Sequence, residues 1–151
     1  MCPGVVELAA LADDDWTGTN DPTAYLSIPK AIEFMESLLP GGWEDLREHN
    51  RILALEGRRI LCDTLEIDQP CPDSMIGSMA TIMIPDGPPD QPSGWPHVDP
   101  LQLKLYDTYK IEVPVSCWPH PPKRVLRISA QIYNSPDQYR YLATALADLL
   151  Q

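Results

Sequence analysis

Positive charge is scarce in this 151-residue chain. Eleven Lys and Arg stand against 22 Asp and Glu, a formal net charge of -11. That balance disfavours nucleic acid and anionic membrane surfaces as partners, because both are gripped by clustered cations. Long apolar runs are missing as well. None approaches the roughly 20 residues a membrane-crossing helix needs, and Met1 to Asp15 has no basic start followed by an apolar stretch, so a cytoplasmic location is expected. The four cysteines, at 2, 62, 71 and 117, show no CxxC spacing, which argues against a zinc knuckle or a secreted disulfide framework and for reduced thiols. Histidines 49, 97 and 120 form no HxxxH or HxH pair, so no metal site is expected. GxGxxG, GxxxxGKS/T, GxSxG and HExxH are absent too, which removes motif-level support for the common nucleotide-binding, hydrolase and zinc-protease chemistries.

What remains is an ordinary globular composition, 44% hydrophobic and 22% charged, long enough for one domain with a real core. Residues 1–15 carry three successive aspartates without periodicity and are expected to be a loosely ordered lead-in. Asp21-Pro22 predicts a helix start, with Asp21 capping free amides and Pro22 in the first turn. Tyr25, Ile28, Ile32, Met35 and Leu39 then form one apolar stripe, in a helix that Pro29 should kink or divide. Gly41-Gly42 interrupts the pattern, and Trp43, Leu46, Leu53, Gly57, Ile60 and Leu61 continue a helical rhythm to about residue 64.

Met75 to Ile84 reads as a buried strand, and Pro85 to Pro96, with its prolines and glycines, as a loop. Asp99-Pro100 repeats the cap-and-proline signal for a short helix ending near Tyr109. Ile111, Val113, Val115 and Cys117 alternate with polar or proline positions, which predicts a half-buried strand at a sheet edge because of Pro114. Leu126, Ile128, Ala130 and Ile132 share one strand face, with Arg127, Ser129, Gln131 and Tyr133 on the other. Ser135-Pro136-Asp137-Gln138 is a capping box, followed by a helix striped with Tyr139, Leu142, Leu146 and Leu149 or Leu150. The expected fold is α+β: two helices, then a small three-stranded antiparallel sheet with helices packed on one face.

Two segments carry a family likeness. Trp16-Thr17-Gly18-Thr19-Asn20-Asp21-Pro22-Thr23-Ala24-Tyr25-Leu26 resembles the stretch that follows the cofactor lysine in class V aminotransferase-fold enzymes, especially the isopenicillin N epimerase-like branch. Leu126-Arg127-Ile128-Ser129-Ala130-Gln131-Ile132-Tyr133-Asn134-Ser135 is similar to that family's C-terminal strand. The resemblance covers residues 16–151 and implies the C-terminal small domain of a pyridoxal-phosphate enzyme acting on an amino acid. It also implies a homodimer, with Thr19 at the cofactor phosphate and Arg127 at the substrate carboxylate. Both roles suit the chemistry. A hydroxyl and amides at a helix start hold a phosphate, and a guanidinium fork holds a carboxylate with two charged hydrogen bonds.

The lysine-bearing N-terminal domain has no counterpart here. Lys30, Lys104, Lys110 and Lys123 sit in no segment resembling the cofactor lysine, so the chain alone is expected to bind no pyridoxal phosphate, to contain no catalytic residue and to be inactive. A second reading within the family is a cysteine desulfurase or C-S lyase in which Cys117 attacks sulfur. Its alternation with Ile111, Val113 and Val115 favours a buried structural thiol instead. A third is a cofactor-free interaction module presenting the Pro85 to Pro96 loop and Trp95.

Overall fold

The computed structural model describes residues 21–89 and 97–150. The lead-in, Thr19 and most of the proline-rich loop, Trp95 included, lie outside the described residues. The chain divides into two compact units, residues 1–38 and 39–151.

In the first unit, α1 (Thr23–Leu26) and α2 (Ile28–Glu36) meet at Ser27. Pro29 falls in the first turn of α2, where its missing N–H costs no helical bond, so it divides the expected helix. Asp21 accepts hydrogen bonds from the Thr23 amide and hydroxyl, and these bonds hold its carboxyl below the usual carboxylate range. Tyr25, Ile28 and Ile32 of the apolar stripe are exposed.

The second unit is built on α3 (Gly42–Leu65). Gly42 has φ 62, a left-handed start that a side chain would strain, and Asp45 accepts from the Gly41 amide at 2.8 Å. After a 3-10 turn at Asp73–Met75 come β1 (Met79–Ile84), α4 (Pro100–Tyr109), β2 (Val115–Cys117), β3 (Arg124–Ser129) and α5 (Pro136–Leu149). The sheet order is β1-β3-β2, antiparallel throughout. Ala80 faces Ile128, Ile82 faces Leu126, and Val115 faces Leu126 from the other side. With a period of two, these residues share one face. α3 packs on that face and on α5, and α4 packs on α5. Leu61, Ile82, Leu126 and Leu146 are wholly buried there, each burial favouring the fold by about 1.5–3 kcal/mol. The expected α+β class and three-stranded sheet are as observed.

The strands are shorter than periodicity predicts, because other groups take their backbone bonds. Arg51 donates to the carbonyls of Ile76 and Asp73, so residues 73–78 turn and β1 starts at Met79. Pro114 has no N–H for a ladder, and the Ile111 amide goes to the Leu105 carbonyl, so β2 starts at Val115 on the sheet edge. β3 stops at Ser129 because the Gln131 amide bonds to the Asn134 side chain and the Ile132 amide to the Gln131 side chain. The capping box at Ser135 and Gln138 is formed. No helix among the described residues is long and apolar enough to cross a membrane.

Candidate functional site

Register decides where the β3 arginines go. Arg124 pairs across the sheet with Ile84 and Cys117, on the core side, while Arg127 pairs with Thr81 on the opposite face. Arg124 is buried and donates to Asp99 at 3.1 Å and to the Pro85 carbonyl at 2.7 Å. Asp99 also accepts from the Leu101 amide at 2.8 Å, so one carboxylate caps α4 and neutralises a buried guanidinium. The cap was legible as Asp99-Pro100, but the ion pair was not, because 25 residues separate its members.

Arg127 is exposed and its guanidinium has no side-chain partner among the described residues. Beside it a gap opens between β3 and residues 110–114. Lys110 ends α4 in the left-handed conformation, φ 57, which turns the chain away from the sheet before Val115 rejoins it. The Arg127 amide still donates to the Pro114 carbonyl at 3.1 Å. The start of α5 closes the far side, leaving a cavity of about 570 Å³ lined by Arg127, Ser129, Lys110, Glu112, Gln138 and Tyr139 among others. Burial pushes the Tyr139 phenol up from its ordinary value, with Tyr133 adding to the shift, so at neutral pH Tyr139 is a hydrogen-bond donor. Its hydroxyl lies a long 3.5 Å from the Ser129 carbonyl.

Cys117 does not join this cavity. It is half-buried on the core face of β2, across from Arg124, one sheet face away from Arg127. No group of three or more His, Cys, Asp or Glu among the described residues could hold a metal ion. The described residues also do not fit a pyridoxal aldehyde. Lys30 pairs with Glu33 and Lys123 with Asp86, Lys104 is exposed, and only Lys110 borders the cavity, with its Nζ donating to the Asp107 carbonyl at 2.8 Å. No lysine is enclosed beside Arg127.

A second buried arginine lies elsewhere in the fold. Arg58 on α3 is 1% exposed, donates to the Cys71 carbonyl at 2.9 Å and pairs with Asp73. It ties the loop after α3 to that helix. Its place beside Gly57 and Leu61 on the buried stripe was the available signal.

No family profile matches the chain. Individual proteins do. Isopenicillin N epimerase of Streptomyces clavuligerus is 32% identical over 133 residues, 85% of this chain, and the enzyme of the same name from Amycolatopsis lactamdurans is 33% identical over 134 residues, 87% of this chain. A probable chloroplastic L-cysteine desulfhydrase of Arabidopsis thaliana is 27% identical over 149 residues, 92% of this chain. In each case the match spans 30% of the relative's own length.

Proposed function

The chain belongs to the class V aminotransferase-type family, and on that premise we propose that it forms the C-terminal, carboxylate-binding part of a pyridoxal-phosphate enzyme of amino acids, with Arg127 taking the substrate α-carboxylate. The observation that carries this reading is an exposed guanidinium with no side-chain partner among the described residues, bordering a cavity and mounted on the central strand of the sheet. A surface arginine with no ligand gains nothing from such a mount. A strand holds the planar fork in one orientation, which is what two parallel charged hydrogen bonds to a carboxylate require. Among the other arginines, Arg58, Arg124 and Arg140 are already paired with carboxylates.

We assign the lysine and the remaining walls of the site to the part of the relatives that this chain does not span. Thr19 is the residue of this chain proposed for the cofactor phosphate, and a second subunit is the proposed neighbour at that site. The epimerase relatives favour inversion at the α-carbon. Carbon-sulfur bond cleavage is the second reading, favoured by the desulfhydrase relatives, and it does not rest on Cys117.

The test is Arg127→Lys in an enzyme assembled with a chain that supplies the lysine-bearing domain. Lysine keeps the charge and loses the fork. The apparent binding constant of the amino-acid substrate should rise tenfold or more, corresponding to roughly 1.5–3 kcal/mol of charged hydrogen bonding. Unchanged binding would remove Arg127 from the site. In the same assembled enzyme, exchange of the substrate's α-proton for deuterium without sulfide release would favour epimerisation, and sulfide release the second reading.

A further inference from the structure

Four charged side chains border the Arg127 cavity: Lys110, Glu112, Arg127 and Asp137. Two are committed. Lys110 Nζ donates to the Asp107 carbonyl and lies 5.9 Å from the Tyr106 ring centre, and Asp137 pairs with Arg140 at 2.5 Å. Arg127 and Glu112 have no side-chain partner among the described residues, nor do they pair with each other. The bond from the Arg127 amide to the Pro114 carbonyl carries the β2 register one residue past the ladder. Before that point the chain stands away from the sheet, and Glu112 borders the same cavity as Arg127. The two charges border one cavity without pairing directly, so a single ligand in it can meet both.

We propose that Glu112 is a specificity-determining residue of this site, selecting ligands that carry a cationic nitrogen several bonds away from the carboxylate held by Arg127. This rests on the assignment of Arg127 above. Two opposite charges left apart in one cavity repel ligands of a single charge from one end or the other, whereas a ligand with both charges satisfies both ends. A monocarboxylate meets only Arg127 and leaves the Glu112 carboxylate facing an apolar tail.

The experiment compares butyrate with 4-aminobutyrate, which differ only in the terminal nitrogen. Each is titrated into the full chain while the Arg127 side-chain N–H and the amides of residues 112, 127 and 129 are followed by NMR. The parent should bind 4-aminobutyrate roughly two- to five-fold more tightly, the range of one partly exposed charge pair. Glu112→Gln should abolish that preference and leave butyrate binding in place, and Glu112→Lys should reverse it. Arg127→Gln should lose both ligands. Equal binding of the two by the parent, or a preference that survives in Glu112→Gln, overturns the role of Glu112 while leaving Arg127 standing. Unaltered butyrate binding by Arg127→Gln, or a parent chain that binds neither, overturns the assignment of Arg127 and the role of Glu112 with it.

Discussion

Gly57 of α3 packs against Ile128 of β3 and Tyr139 of α5. A methyl group placed there would lie 2.9 Å from Ile128 Cδ1 and 2.9 Å from both Cγ and Cδ2 of Tyr139, inside van der Waals contact. Two effects oppose each other in Gly57→Ala. Alanine favours the helix by about 1 kcal/mol, and overpacking a filled core costs about 1–3 kcal/mol. The overlapping atoms belong to residues only 2% and 6% exposed, so neither can swing into solvent, and the overpacking cost should fall in the upper part of its range. The net expectation is a loss of about 1–2 kcal/mol, read as a urea midpoint lower by roughly 0.5–1 M for an m-value of about 2 kcal/mol/M. Ile128→Val removes one of the clashing atoms. In the double variant part of the loss should therefore return as a favourable coupling in a double-mutant cycle. Because Ile128 and Tyr139 also line the Arg127 cavity, Gly57→Ala should weaken carboxylate binding without touching a charged group. A Gly57→Ala chain more stable than the parent would mean that propensity wins and that this contact relaxes freely, refuting the packing argument.

Asp99→Ala removes a helix cap and strands the buried Arg124 charge, so it should cost about 3 kcal/mol or more, whereas Asp99→Asn keeps a capping oxygen and should cost about 1 kcal/mol less; urea unfolding of both separates the two contributions, and equal losses would deny the cap any share. Burial pushes the Cys62 thiol up, the nearby Arg58 opposing that shift only in part. A folded-state value above the unfolded one gives a stability contribution that is complete below the ordinary thiol value near 8.5 and is lost as pH rises through the higher folded value. The stability advantage of the parent over Cys62→Ala should accordingly shrink as pH rises above about 8.5, and in the native chain Cys62 should react with iodoacetamide more slowly than Cys71; an advantage that stays constant as pH rises would count against the burial argument.

Features decided by residues close together in the chain were legible without the fold. Ser135 and Gln138 specify the start of α5 because a capping box closes within one turn, and Asp99 with Pro100 does the same for α4. The two faces of β3 follow from alternation alone, which separates Arg127 from Leu126 and Ile128. Strand ends were not legible, because they depend on which distant group takes a backbone amide or carbonyl, as Arg51 does at Ile76. Alternation puts Arg124 on the face of Leu126 and Ile128, but it does not say what neutralises a charge there. Arg124 became structural because tertiary packing brings Asp99 and the Pro85 carbonyl to it, while Arg127, three residues on, borders a gap beside the left-handed turn at Lys110 and pairs with no carboxylate among the described residues. A charge on a strand acquires its role from what packs around it. Burial without a partner would cost several kcal/mol, and that environment is assembled by segments far apart in the chain.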